Sequence, residues 1–264
     1  MAGEQHVETS RRGAVAHVTI RRPEVHNAFN EHVIAQLREA FDRLREDSSI
    51  RVVVLAGEGR SFSAGADLEW MRRAADLSEE ENRRDAEALA VMLRTVAEHP
   101  CPVVAKVHGG AFGGGAGLVA VADVAVAGES ARFGFTEVRL GLIPATIAPH
   151  VIAKIGPGWA LRLFLTGERF GTTLALAIGL VYRVVPDDEL DAAVEDAVAA
   201  LLAGGPEAQR ACKEMIRKVA AAGASVDEYT AGLIARVRAT DEGREGVRAF
   251  LEKRKPHWQA EADV

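Results

Sequence analysis

The 264-residue chain has only two cysteines and no long uninterrupted apolar run, and both shortages narrow its class. Cys101 and Cys212 lie far apart and in no metal-binding or redox spacing, which predicts free thiols in a reducing cytosol. The most apolar region, residues 102–128, is interrupted by charged residues and glycines, so it predicts a buried core and not a membrane span. Residues 1–13 lack the apolar centre of a signal peptide. We therefore expect a cytoplasmic protein with no membrane partner.

Several catalytic and binding motifs are also missing. The formal net charge of −6 argues against a nucleic-acid surface, which needs clustered lysine and arginine. No glycine run ends in the GK[ST] of a P-loop, Ser63 lacks the preceding glycine of a nucleophile elbow, and the eight histidines show no HExxH spacing. The sequence therefore predicts no bound metal and no cofactor of its own.

What the chain does contain is a repeated glycine-rich turn. Residues 53–68 read VVLAGEGRSFSAGADL, and residues 103–118 read VVAKVHGGAFGGGAGL. The copies, 50 positions apart, predict one supersecondary unit used at least twice. Each copy follows an apolar strand and ends where a helix should begin, where backbone N–H groups have no intrahelical partner. Two such turns brought together would form a site for a developing negative charge.

The rest of the chain alternates strands with helices. Asn30 and Asp67 are predicted helix N-caps, and Ser78 with Glu81 is a predicted capping box. A strand is also expected at residues 179–185, and from residue 186 onward the apolar period becomes wholly helical. We predict an α/β core over residues 1–190 that carries the site and a C-terminal helical region over residues 191–264.

A dinucleotide site is the first alternative that the glycines suggest. Gly115, Gly117 and Ala120 fit GxGxxA after a strand, with Glu137 at about the distance of a ribose ligand. The helix that follows has room for only about two turns before the next strand, which is too short for a βαβ crossover. This alternative is therefore disfavoured.

Four ordered segments resemble the signature segments of the crotonase (enoyl-CoA hydratase/isomerase) superfamily, namely SFSAGADLEWM, VHGGAFGGGAGL, ARFGFTEVRLGLIP and EGVRAFLEKRKP. The resemblance covers nearly the whole chain. It implies an α/β fold built as a spiral of ββα units, with a C-terminal helical region used in assembly of a homotrimer or a dimer of trimers. It also implies an acyl-CoA thioester substrate, with coenzyme A as part of the substrate and not as a separate cofactor.

The resemblance also assigns site residues. The backbone amides of Ala66 and Gly114 would stabilise the enolate oxygen of the thioester, and Glu137 would be the acid and base. Apolar neighbours of Glu137 predict a raised pKa for its carboxyl group. Coenzyme A and the acyl chain would contact the following residues, the last two from a neighbouring subunit: Ala64, Ala66, Asp67, Leu68, Gly114, Trp70, Phe135, Ile143, Phe250 and Lys253. Arg72 and Arg73 are further candidates for binding the 3′-phosphate.

Two departures from the family pattern bear on the reaction. Gly117 stands where two-glutamate hydratases carry their other glutamate. Three alternatives follow: Glu137 alone handles both the water and the Cα proton, another carboxylate enters from elsewhere, or the reaction is a double-bond shift of the kind that single-glutamate isomerases catalyse. Residues 142–149, LIPATIAP, lack the glycines common in the family and are similar to bacterial hydratases of branched or carboxylated substrates, such as the methylglutaconyl-CoA hydratase group. We therefore favour an enoyl-CoA hydratase, with a Δ3,Δ2-enoyl-CoA isomerase as the alternative and a non-enzymic RNA-binding module as the rival of a different class.

Overall fold

Two β-sheets form the frame of the protein, whose computed structural model describes residues 4–221 and 227–260. Nine strands lie in these residues: β1 Val7–Arg12, β2 Val15–Ile20, β3 Val52–Gly57, β4 Val103–Val107, β5 Gly110–Phe112, β6 Val124–Gly128, β7 Arg132–Gly134, β8 Arg169–Gly171 and β9 Arg183–Val185. The main sheet has the order β1-β2-β3-β4-β6-β9 and is parallel except for the β1–β2 pair. The smaller sheet has the order β5-β7-β8.

Eleven α-helices lie in the described residues. They are α1 Glu31–Glu46, α2 Leu68–Ala74, α3 Glu79–Ala97, α4 Gly114–Val121, α5 Ala148–Thr166, α6 Thr172–Ala177, α7 Leu190–Leu202, α8 Pro206–Ala221, α9 Asp227–Ala239, α10 Asp241–Leu251 and α11 His257–Ala260. Among them, α1, α4, α6 and α7 contact strands of the main sheet. The predicted caps are confirmed, because Asn30 accepts a hydrogen bond from the Val33 amide and Ser78 forms a capping box with Glu81.

Alternation along the central strands divides the core into two layers. Val53 and Leu55 of β3 face a large apolar cluster that includes α1, α3 and α4, whereas Val52 and Val54 face a smaller cluster that includes α7. A strand covered on both faces must be apolar throughout, which explains the continuous VVVL run. Helix α7 begins at residue 190, the predicted boundary, and packs on the sheet through Leu190 and Val194.

Three features of the fold differ from the sequence predictions. The smaller sheet was not expected, because strands of three residues are too short to show a period of two. Helix α5 was not expected either, since Gly156, at φ 77°, and Pro157 interrupt it. The strand predicted over residues 179–185 is confined to Arg183–Val185, and the residues before it form a turn after α6.

The C-terminal helices lie largely on the surface. Helices α8 and α9 bury no residue, and α10 buries only Ala249. Arg51 connects the end of the described chain to the core. Its guanidinium donates to the carbonyl oxygens of Trp258, at 2.8 Å, and Gly204, at 2.5 Å. None of the helices within residues 4–221 and 227–260 combines the length and apolar character that a membrane crossing requires.

Candidate active site

The two glycine-rich turns lie against each other and are joined by hydrogen bonds. The Ser63 amide donates to the Gly110 carbonyl and the Phe112 amide donates to the Ser63 carbonyl, both at 3.0 Å. Gly65 lies between the turns at φ 87°, and a Cβ there would lie 2.6 Å from the Phe112 carbonyl oxygen and 3.4 Å from the Gly114 nitrogen. Only glycine fits this conformation and this close approach, so the sequence of the turn is what allows the two loops to meet.

The backbone amides of Ala66 and Gly114 are both without a hydrogen-bond acceptor among the described residues, and both residues line one cavity of about 330 Å³. Their neighbours are engaged: the Asp67 amide donates to the Phe29 carbonyl at 2.8 Å, and the Gly113 amide donates to the Gly134 carbonyl at 2.9 Å. Gly114 is the first residue of α4, where an N–H has no intrahelical acceptor. The cavity therefore has two available main-chain donors.

Asp67 holds the first donor in place. Its carboxylate accepts from the Glu69 amide at 2.8 Å and the Trp70 amide at 3.3 Å, and it pairs with Arg22 at 2.9 Å. Burial opposes ionisation of Asp67, but these amides and the guanidinium outweigh it and lower the pKa of the carboxyl group. Asp67, predicted to bind substrate, is therefore absent from the lining of the cavity and caps α2 beneath it.

Glu137 provides the one ionisable side chain among the residues that line the cavity. Its Oε1 lies 3.2 Å from the position that a Cβ on Gly113 would take, which places the carboxyl group over the second turn. Its Oε2 is buried with no hydrogen-bond partner among the described residues. Burial raises the pKa of Glu137, although a hydrogen bond from its own backbone amide counteracts part of this effect. A carboxyl group with a raised pKa can act both as a base and as an acid toward a bound molecule.

Gly117 has no room for a side chain. A Cβ at this position would collide with Cγ2 of Ile147 and lie 3.0 Å from Cβ of Ile147, which is itself 2% exposed. Ile147 thus fills the space into which a second glutamate would project. The two departures noted in the sequence, Gly117 and the absence of glycine at residues 142–149, are therefore linked, because Ile147 of the second packs against Gly117.

The structure brings most of the predicted site residues to the cavity. Besides Ala66, Gly114 and Glu137, these are Ala64, Leu68, Trp70 and Ile143. Phe135 is not among them, because its ring is buried in the core with centroids 5.2 Å from Phe164 and 6.2 Å from Phe170. Phe250, 81% exposed, and Lys253 lie on and just after α10 and do not line the cavity of their own chain.

Sequence reasoning missed other residues of the lining: Phe29, Met71, Leu89, Gly113, Thr136, Leu140, Pro144, Ala145, Thr146 and Ile147. Among these, Leu89 is an apolar residue of α3. The period of a helix predicts that such a residue faces inward, but it does not distinguish a core contact from a cavity wall.

The cations expected near the phosphate are paired within the chain. Arg72 pairs with Glu69, and Arg73 pairs with Glu31 at 2.8 Å. These pairs lie at the surface, where an ion pair contributes little free energy to folding. Within the described residues, no group of three or more histidine, cysteine, aspartate or glutamate side chains is arranged to hold a metal ion.

Comparisons with known proteins agree with this geometry. The enoyl-CoA hydratase/isomerase family profile matches residues 10–261. A putative enoyl-CoA hydratase of Thermus thermophilus is 37% identical over 251 residues, covering 94% of this chain and 98% of its own length. The 2,3-dehydroadipyl-CoA hydratase of Escherichia coli is 35% identical, covering 95% of this chain and 97% of its own length.

A solved structure supports the same relationship. The putative enoyl-CoA hydratase/isomerase (crotonase) of Legionella pneumophila superposes with a TM-score of 0.90 and 40% identity, covering 96% of this chain and 98% of its own. The predicted α/β crotonase fold is thereby confirmed, and so is the predicted resemblance. The chain belongs to the enoyl-CoA hydratase/isomerase family and is an enzyme of that family.

Proposed function

We propose that the enzyme is an enoyl-CoA hydratase, which adds water across the 2,3 double bond of an acyl-CoA thioester. The observation that carries this proposal is the pairing of two free main-chain donors with one buried, unpaired carboxyl oxygen in the same cavity. The hydratase names of the Thermus and Escherichia relatives support it.

In the proposed reaction the thioester oxygen accepts hydrogen bonds from the amides of Ala66 and Gly114. Attack of water at Cβ moves electrons onto this oxygen, and donors fixed in advance stabilise the resulting enolate. One such donor is worth about 10²- to 10³-fold in rate. The N-terminal end of α4, where Gly114 lies, adds a favourable dipole for the same negative charge.

Glu137 handles the protons. Its carboxylate accepts a proton as the water oxygen bonds to Cβ, and the resulting carboxylic acid returns a proton to Cα of the enolate. Water is consumed, and the carboxylate is restored. A raised pKa makes the carboxylate a stronger base toward water and favours the protonated form that then transfers its proton to Cα. Because Ile147 excludes a carboxylate at Gly117, we assign both proton transfers to Glu137.

The remaining substrate contacts follow from the lining. Ala64 and Leu68 lie where the backbone of the first turn would bind the adenine and pantetheine, and Trp70 and Ile143 would contact the acyl chain. We further propose assembly as a homotrimer or a dimer of trimers, in which Phe250 and Lys253 complete the site of a neighbour. The large exposed area of Phe250 supports this role.

An isomerase is the second candidate function, and the single carboxyl group of the cavity favours it. One base can carry a proton between C2 and C4 of an enoyl thioester without any water. Both reactions would place negative charge on the thioester oxygen beside the same pair of amides. Hydration forms a C–O bond at Cβ and consumes water, whereas isomerisation removes the C2 proton and returns it to C4 of the resulting dienolate.

Two substrates distinguish the candidates. The purified enzyme is incubated with crotonyl-CoA in ¹⁸O-labelled water and, separately, with 3-hexenoyl-CoA, while absorbance of the conjugated thioester is followed. A hydratase removes the absorbance of crotonyl-CoA and places one labelled oxygen in the product. Conversion of 3-hexenoyl-CoA to the conjugated isomer with no labelled product from crotonyl-CoA would reject the hydratase assignment.

A further inference from the structure

Resting on the proposed function, we infer that the site takes an uncharged acyl group, an apolar enoyl chain without a terminal carboxylate. The similarity of residues 142–149 to hydratases of branched or carboxylated substrates leaves both classes open. The composition of the cavity wall, together with the pairing of the cations around it, favours the first.

The wall of the cavity offers no partner for an anion. None of its residues is lysine, arginine or histidine, and its hydroxyl and carboxyl side chains are those of Thr136, Thr146 and Glu137. The other side chains of the wall are alanines and larger apolar residues, namely Phe29, Leu68, Trp70, Met71, Leu89, Leu140, Ile143, Pro144 and Ile147.

Cations close to the wall are directed elsewhere. Arg72 and Arg73, on the same helix as Met71, pair with Glu69 and Glu31. Arg139 lies between the lining residues Glu137 and Leu140 in sequence, but its side chain packs against Gly167. Its Cγ is 3.0 Å from the position that a Cβ on Gly167 would take. The indole N–H of Trp70 donates to a carboxylate, that of Asp85, at 3.2 Å.

A terminal carboxylate would therefore enter an unfavourable environment. It would lose water, gain no counterion from the residues that line the cavity, and lie in the same cavity as the carboxyl group of Glu137. An unpaired charge transferred to such surroundings carries a heavy desolvation cost, and like charges add to it. We expect discrimination of at least about 100-fold in kcat/KM against the charged substrate.

The test uses substrates of equal chain length. 2-Hexenoyl-CoA and 2,3-dehydroadipyl-CoA both carry six acyl carbons and differ in the terminal group, and the monomethyl ester of the second retains its bulk without its charge. We expect kcat/KM about 100-fold lower for the diacid than for hexenoyl-CoA, and recovery to within about 10-fold with the ester. A diacid within 10-fold of hexenoyl-CoA, or an ester as poor as the diacid, would overturn the inference.

A variant pair locates the effect in the cavity. Met71→Lys places an ammonium group on a side chain of similar length, and Met71→Leu is the uncharged control. The diacid-to-hexenoyl ratio of kcat/KM should rise at least about 10-fold in the lysine variant and stay near the wild-type ratio in the leucine variant. Equal ratios in the two variants would contradict a role for charge at this wall.

Binding of saturated ligands to the wild-type enzyme separates this inference from the proposed reaction and needs no variant. Calorimetric titration with hexanoyl-CoA should give a Kd about 100-fold lower than titration with adipyl-CoA. If no enoyl-CoA is hydrated but this difference in affinity is found, the hydratase proposal fails and the charge selectivity stands. Equal affinities would overturn the selectivity whatever the reaction.

Discussion

The two copies of the glycine-rich turn have similar sequences but very different surroundings. The first leads into α2, none of whose residues is buried, whereas the second leads into α4, in which every residue after Gly114 is buried. Both copies begin alike, with Gly59 at φ 76° and its counterpart Gly109 at φ 57°. The repeat therefore determines the path of the backbone through the turn, and the helix that follows determines how firmly the turn is held.

The copies separate at their ends. Gly65 has φ 87°, but its counterpart Gly115 already lies within α4. In the first copy Asp67 caps a helix that begins at Leu68, and at the matching position of the second copy Gly117 faces Ile147. One donor amide thus belongs to a capped loop and the other to the first residue of a buried helix. Substitutions at Ala66 and at Gly114 are therefore expected to have different effects on stability.

The largest loss of rate is expected when Glu137, which lies in the cavity formed by both turns, is changed. Glu137→Gln keeps the shape of the side chain but removes the transferable proton, so kcat should fall by about 10³-fold or more while affinity for a saturated acyl-CoA changes little. Steady-state kinetics with crotonyl-CoA and calorimetry measure the two quantities. Glu129→Gln, an exposed change outside the cavity, is the control. A Glu137→Gln enzyme that retained a tenth of the wild-type rate would exclude Glu137 as the acid and base.

The same variant has an opposite effect on stability. The folded state raises the pKa of Glu137, so its contribution to stability is complete below the unfolded pKa and is lost as the pH rises through the folded value. At pH 8 the glutamine variant should therefore unfold at a urea concentration equal to or above that of the wild type. A clear loss of stability would point to a structural cause for the lost rate.

The next effect tests the two donors separately. Ala66→Pro and Gly114→Pro each remove one N–H, and each should lower kcat by about 10²- to 10³-fold, whereas Ala66→Gly and Gly114→Ala retain the donor. The Gly114→Ala control should itself cost some activity, because its Cβ would lie 3.0 Å from the Phe29 ring. Thermal melting should separate the copies, with Tm falling further for Gly114→Pro, since α4 is buried. Equal rates for a proline variant and its control would mean that the enolate charge is held elsewhere.

A smaller effect tests the contact that distinguishes Gly117 from its counterpart Asp67. Gly117→Glu should cost about 3 kcal/mol of unfolding free energy, because the side chain must displace Ile147 and a carboxylate is buried. Ile147→Gly also destabilises, but in the double variant each change makes room for the other. We expect a coupling free energy of about 1 to 3 kcal/mol in a urea-denaturation cycle. Additive losses would show that Ile147 does not exclude the glutamate.

The smallest effect expected is on stability, and it concerns the residues that precede the strand before each turn. His99 precedes β4 and is fully buried, whereas its counterpart Ser49 lies in an exposed turn before β3. Burial lowers the pKa of His99 to about 4, with nearby cations adding to this effect and a hydrogen bond to the Cys101 carbonyl opposing it. The unfolded chain binds a proton below about pH 6.5 and the folded chain does not until about pH 4, so acid should destabilise the fold between these values.

His99→Phe measures this contribution. Relative to the variant, the wild type should lose about 1 kcal/mol of unfolding free energy between pH 7.5 and pH 5.5. The difference at pH 7.5, where the imidazole is neutral in both states, is the baseline for packing. A pH-independent difference between the two proteins would contradict the buried neutral histidine.

Local signals in the sequence predicted the local features of the fold. The caps at Asn30, Asp67 and Ser78 are confirmed because each depends on a side chain within three residues of the amide it binds. The smaller sheet and α5 were missed because their residues show no regular period. Their positions depend on contacts with distant parts of the chain.

The candidate site shows the same difference between local features and contacts that join distant parts of the chain. The two turns could be matched to each other from sequence, but the hydrogen bonds that join Ser63 to Gly110 and Phe112 could not. The apolar pattern around Glu137 predicted its raised pKa correctly in direction. The same pattern placed Phe135 in the pocket, but its ring is buried against Phe164 and does not line the cavity of this chain.

The hydrogen bonds between the two turns carry a consequence for motion. Because the Ser63 amide and carbonyl are both bonded to the second turn, the two turns are held together by contacts that do not involve α2. We therefore predict that α2, which buries no residue, opens more readily than the junction of the two turns. In hydrogen–deuterium exchange, the amides of α2 should then exchange fast and the Ser63 and Phe112 amides slowly.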